Sequence, residues 1–166
     1  MTRPPAFRPL LSLWPVMAAA GFLLAAALAP VPSAHADDAP ATLDLSAYRG
    51  KVVYLDFWAS WCQPCKQSFP FMEQLKATYG DQGLVIIAVN VDHSPAKAKA
   101  FQAAMGSDLP VVYDTSGDLA AHFRVTDMPT SILIGRDGKT RYLHNGFHPE
   151  QTMTYASQVA ELIHEH

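Results

Sequence analysis

Trp61-Cys62-Gln63-Pro64-Cys65 holds the only two cysteines of this 166-residue chain. An apolar run, Val52-Val53-Tyr54-Leu55-Asp56-Phe57-Trp58, precedes the pair. A segment with apolar residues at Phe69, Met72, Leu75 and Tyr79 follows it. The near-continuous run predicts a strand buried on both faces. The spacing in the second segment predicts a helix over 65–79 with one apolar stripe, kinked at Pro70, where a backbone donor is missing. Two cysteines between a buried strand and a helix start point to a redox-active dithiol on the helix N-terminus rather than half of a metal cage.

Outward from this unit, Leu84 to Val91 reads as a second buried strand. Ser94-Pro95 marks a helix start, with serine as N-cap and proline at the first helical position. A short strand over 109–113 and a short helix over 119–123 follow. Thr130 to Ile134 and Thr140 to His144 form a hairpin around Arg136-Asp137-Gly138-Lys139, whose Asp-Gly is a strong turn signal. Glu150 to His164 closes the chain as an amphipathic helix. The order predicts an α/β fold, a mixed sheet covered by helices on both faces.

The first 36 residues read as a secretory signal. Arg3 and Arg8 are their only charged side chains, Val16 to Ala29 is apolar, and Ala34-His35-Ala36 supplies a small-residue cleavage site. An uncleaved membrane anchor is the alternative, though the apolar core is short for spanning and is bracketed by Pro15 and Pro30. The absence of a cysteine near the cleavage site argues against lipid modification, and the absence of an Arg-Arg pair against twin-arginine export. Residues 37–166 are then one domain, expected as a monomer in a bacterial periplasm. They carry 10 basic and 15 acidic residues, a net charge of −5 with histidine neutral. That acidic balance argues against nucleic acid as a partner.

The chemistry expected of the dithiol follows from its position. Orphan N–H groups and the helix dipole favour a thiolate on Cys62, placed at the exposed end of the helix. Cys62 is the expected nucleophile, and Cys65, one turn further in, resolves the mixed disulfide. Pro64 fixes the turn between them. Gln63 adds no charge, which favours a reducing or intermediate poise. Asp56, inside an apolar strand, must be paired, hydrated or protonated.

Asp56-Phe57-Trp58-Ala59-Ser60-Trp61-Cys62-Gln63-Pro64-Cys65-Lys66, with Pro70 and Met128-Pro129-Thr130, resembles the thioredoxin superfamily. Within it, the chain is similar to the exported TlpA/ResA-like thiol-disulfide oxidoreductases over residues 42–164. The resemblance implies a thioredoxin-like fold with a helix-strand insertion between Asp92 and Thr126, before a cis-proline at Pro129. It implies that Asp56 exchanges a proton with Cys65, against the bland alternative of a structural aspartate. Thioredoxins place a lysine beside that acid; the matching position is Ala88, so the Asp56 pKa is expected to rise. Ser68 stands where TlpA/ResA-like chains commonly carry glutamate, and Asp127 where a glycine often precedes the cis-proline. Asp127 is either a second groove carboxylate or an exposed loop acid. Trp61, Gln63, Pro64, Met128 and Pro129 are the expected substrate-binding residues, with Met128 backbone pairing an extended client segment. Of the rim aromatics Trp58, Trp61 and Phe147, only Trp61 is expected at the surface.

The resemblance further implies a protein substrate carrying a disulfide or dithiol, as in cytochrome c maturation, and a membrane thiol-reducing partner of the DsbD kind. Neither a cofactor nor a metal site is read from the chain. The rival readings are a copper-handling chaperone using Cys62 and Cys65 with some of His93, His122, His144, His148, His164 and His166, and a disulfide oxidase or isomerase. A peroxidase is disfavoured, since the nucleophile follows Trp-Ala-Ser-Trp and not a Thr-x-x-Cys loop.

Overall fold

The computed structural model describes residues 43–165. The signal segment expected over 1–36 lies outside them. Strand β1 (Val52–Trp58) is buried along its whole length, as its unbroken apolar run requires. Helix α1 (Cys65–Tyr79) follows, then β2 (Leu84–Asn90), α2 (Pro95–Met105), β3 (Val111–Tyr113), α3 (Asp118–His122), β4 (Thr130–Ile134), β5 (Thr140–Asn145) and α4 (Thr152–His164). The element order agrees with the sequence reading, and boundaries move by one or two residues. Glu150 and Gln151 belong to a 3-10 turn before α4 instead of its first turn. Pro70 lies within α1 and does not end it. Ser94 takes the extended N-cap backbone, but its hydroxyl makes no capping hydrogen bond.

The sheet runs β3-β2-β1-β4-β5. β1 pairs with β2 in parallel and with β4 antiparallel, and β5 closes the hairpin on β4. The α2–β3 unit adds a parallel edge strand beside β2, the helix-strand insertion expected between Asp92 and Thr126. This is the thioredoxin-like α/β arrangement.

Alternation along β1 divides the core. Val52, Tyr54 and Trp58 face a layer with Phe69, Met72 and Leu75 of α1, Ala98 and Phe101 of α2, and Val159, Leu162 and Ile163 of α4. Val53, Leu55 and Phe57 face the other side, against Leu119 of α3, Phe123 and the 3-10 turn Leu45–Tyr48. The Trp58 ring packs at 4.9 Å on both Phe69 and Phe101, anchoring α1 and α2 on this face of the sheet.

At the end of the sheet away from the dithiol, Arg136 donates to the carbonyls of Gly50 (2.7 Å), Gln82 (3.1 Å) and Ile163 (3.0 Å). Gly83 takes φ +101°, and a Cβ there would come within 3.0 Å of the Arg136 guanidinium. Only glycine satisfies both demands without displacing the arginine.

Candidate active site

The chain leaves β1 at Trp58 and turns at once. Cys62 N–H donates to the Ala59 carbonyl (3.1 Å), and Gln67 N–H to that of Pro64 (2.9 Å), so α1 starts immediately after Pro64. Cys62 and Cys65 form a disulfide, and the Cys65 amide N–H donates to Cys62 Sγ at 3.2 Å. A first-turn donor therefore points at the sulfur expected to carry negative charge.

Cys62 was expected at an exposed helix end, and the structure corrects this. Its exposure is 3 %, against 0 % for Cys65. The turn folds the Cys62 sulfur back under the Cys65 amide, leaving Cys62 the more accessible of two nearly buried residues. Trp61, beside it, is 70 % exposed, while Trp58 and Phe147 are buried. Gln63 and Pro64 are exposed, and Ser68 is buried with its hydroxyl donating to the Cys65 carbonyl (3.1 Å). Ser68 thus supplies no titratable group.

The loop carrying Ser60 is clasped from β2. Asp92, two residues past the end of that strand, accepts from Ser60 N–H (2.9 Å), Ser60 Oγ–H (2.9 Å) and Asn90 Nδ2–H (2.8 Å). In the sequence Asp92 marks only the start of the helix-strand insertion, and nothing there pairs it with Ser60. Its one signal was an acid directly following a buried strand.

The Met128-Pro129 bond is cis. Pro129 is buried and Met128 half-buried, and the Pro129 carbonyl accepts from Gly146 N–H (2.7 Å). Asp127 is exposed and accepts from the Thr126 hydroxyl (2.9 Å).

Asp56 is fully buried, on the face of β1 that carries Tyr54 and Trp58. The same layer holds both cysteines. Its register partner on β2 is Ala88 and on β4 is Ser131. The lysine position thus carries a methyl group beside the acid. Ser131 Oγ–H donates to Asp56 Oδ1 (2.7 Å), and Tyr54 O–H donates to Ser131 Oγ (3.0 Å). Asp56 Oδ2 and Trp58 Nε1 are buried without partners. Desolvation pushes the Asp56 carboxyl up to about 7, against the lowering effect of the Ser131 hydrogen bond. Neither Ser131 nor Tyr54 was singled out in the sequence, where each reads as an ordinary strand residue.

Among the described residues, no three His, Cys, Asp or Glu side chains are grouped to hold a metal ion. His93 Nδ1 lies 3.1 Å from the Thr115 carbonyl, and His144 Nε2 lies 2.8 Å from Gln158 Oε1.

Known proteins share the fold. A Chlorobium tepidum structure, solved for a candidate thiol:disulfide interchange protein DsbE, superposes with a TM-score of 0.71 at 40% identity, covering 75% of this chain and 90% of its own. The protein named thiol-disulfide oxidoreductase ResA of Geobacillus kaustophilus is 36% identical over 102 residues, 61% of this chain. Its Bacillus subtilis namesake is 39% identical over 97 residues, 58% of this chain. The chain spans 59% and 54% of the length of these two relatives. The Redoxin family model matches residues 25–161, most of the sequence, and the chain belongs to that family.

Proposed function

We propose that the protein is an exported thiol-disulfide oxidoreductase that reduces protein disulfides. One observation carries the reading: the Cys65 amide donates to Cys62 Sγ at the start of α1. Asp56, fully buried on the side of the sheet that holds both cysteines, has its carboxyl pushed up to about 7 by desolvation and supports it. The names borne by the ResA and DsbE-type relatives support it.

In the reducing direction, the Cys62 thiolate attacks one sulfur of a client disulfide. A Cys62–client bond forms, the client S–S bond breaks, and the released client thiolate takes a proton from solvent. The Asp56 carboxylate removes the Cys65 thiol proton. The Cys65 thiolate attacks Cys62 Sγ, closing Cys62–Cys65 and expelling the second client thiolate, which is protonated in turn. Two electrons pass from dithiol to client, and the closed pair is the oxidised product. Trp61, Gln63, Pro64, Met128 and Pro129 frame the docking face, with the client backbone extended along Met128.

Outside the cytoplasm such a dithiol is spent after one turnover, so a membrane thiol-reducing partner of the DsbD kind completes the cycle. Clients of the apocytochrome c type suit a monomeric reductase of this design. Export follows from the segment over 1–36: N-terminal sequencing of protein from a periplasmic extract is expected to begin at Asp37, and an unprocessed chain retained on membranes overturns cleavage.

Equilibration with glutathione tests the direction of transfer. A potential between those of thioredoxin, about −270 mV, and protein disulfide isomerase, about −180 mV, is expected. A value near about −120 mV, that of a strong oxidant, overturns the reductase and favours an oxidase.

A further inference from the structure

Tyr54 and Asp56 lie on one face of β1, and Ser131 stands in register beside Asp56 on β4. Each of the two hydroxyls has one proton to give. The Tyr54 hydroxyl is buried, and its hydrogen-bond partner is Ser131 Oγ. Burial and the neighbouring Asp56 carboxylate push the Tyr54 phenol well up, so its proton stays in place. Were Ser131 to donate toward Tyr54, the phenol proton would be stranded in the core without an acceptor, an arrangement folded proteins avoid. The chain therefore runs one way, from Tyr54 O–H to Ser131 Oγ and from Ser131 O–H to Asp56 Oδ1. Oδ1 is held as an acceptor whether or not the carboxyl is protonated. The carboxyl proton is left to Oδ2, the oxygen without a partner.

We propose that Ser131 and Tyr54 are positioning residues that confine the Asp56 proton to Oδ2 and set the pH at which Asp56 serves Cys65. This rests on the reading of Asp56 as the proton acceptor for Cys65. The surroundings leave the role to these two hydroxyls. β2 presents Ala88 in register, and α1 brings the two cysteines' layer with the uncharged Ser68. β5 places His144 in register with Ser131, its ring 4.5 Å from that of Tyr155 on α4 and its Nε2 on Gln158. Desolvation holds the His144 pKa down, so it stays neutral where Asp56 titrates. No lysine or arginine is buried among the described residues.

Carbon-13 titration of the Asp56 carboxyl by NMR, in the disulfide form, reads the positioning directly, and the pH profile of exchange by the dithiol reads its consequence. Ser131→Ala is expected to raise the Asp56 midpoint by about one pH unit, because one hydrogen bond to the ionised form is lost. The inflection of the exchange profile should move with it. Ser131→Thr, which keeps the hydroxyl, should restore both. Tyr54→Phe should raise the midpoint by less, and it remains informative if Ser131→Ala fails to fold. Asp56→Asn separates the two ideas. An inflection that persists in Asp56→Asn overturns Asp56 as acceptor. An inflection lost in Asp56→Asn but unmoved, with the NMR midpoint, in folded Ser131→Ala and Tyr54→Phe overturns the positioning role alone.

Discussion

Between pH 4 and pH 9 the disulfide form is expected to lose about 4 kcal/mol of stability through Asp56 alone, an amount comparable to much of a small domain's total. In the unfolded chain this carboxyl ionises near its ordinary 3.8, and in the fold only at about 7. Below the lower value both states are protonated and burial of the neutral acid carries no charge penalty. Between the two values unfolding releases a proton, so rising pH favours the unfolded chain; above the upper one both states are ionised and the loss is complete. Urea unfolding of wild type and Asp56→Asn across this range measures it. Their difference isolates Asp56 from His144, whose depressed pKa works the other way by weakening the fold as pH falls through the ordinary histidine range. Parallel stability curves for the two proteins would refute the buried, unpaired charge.

Replacing Cys62 by serine should lower the rate of disulfide reduction at least about 10⁴-fold, since a serine hydroxyl at neutral pH supplies no comparable nucleophile. Cys65→Ser should behave differently. It retains the attacking sulfur and the first step but cannot resolve the product, so a covalent client adduct accumulates and appears as a mass shift under non-reducing conditions. The two variants together assign the sulfurs. An adduct in Cys62→Ser and none in Cys65→Ser would reverse the assignment. The near-burial of Cys62 argues that a client must seat its disulfide closely against Trp61, the large exposed surface beside it, for Cys62 to attack it.

The architecture was legible because its signals are local. An unbroken apolar run marks β1, Asp137-Gly138 marks the hairpin, and Ser94-Pro95 marks the start of α2. The shift of Asp56 was legible in part for the same reason, since a carboxylate within such a run has few ways to be satisfied, and in part because the resemblance puts Ala88 where thioredoxins keep a lysine. Lateral neighbours are another matter. That Ser131 stands opposite Asp56 is a property of strand register, at a sequence separation of 75, and no periodicity within either strand encodes it. The Asp92 clasp on Ser60 depends likewise on β1 and β2 ending side by side. The accessibility of Cys62 was misjudged because helix position alone predicts an outward sulfur, whereas the tight turn through Pro64 brings it beneath the Cys65 amide.

Arg136 ties three chain segments at the end of the sheet opposite the dithiol, and none of its partners shares an atom with the reacting groups. Inherited variation in this protein should therefore separate by phenotype. Changes around Cys62, Asp56 and Pro129 would leave normal amounts of a poor catalyst, while changes at Arg136 or Gly83 would leave a competent catalyst in short supply. Selection acts on the product of the two, so drift in the arginine knot can be compensated by expression, and drift at the dithiol cannot.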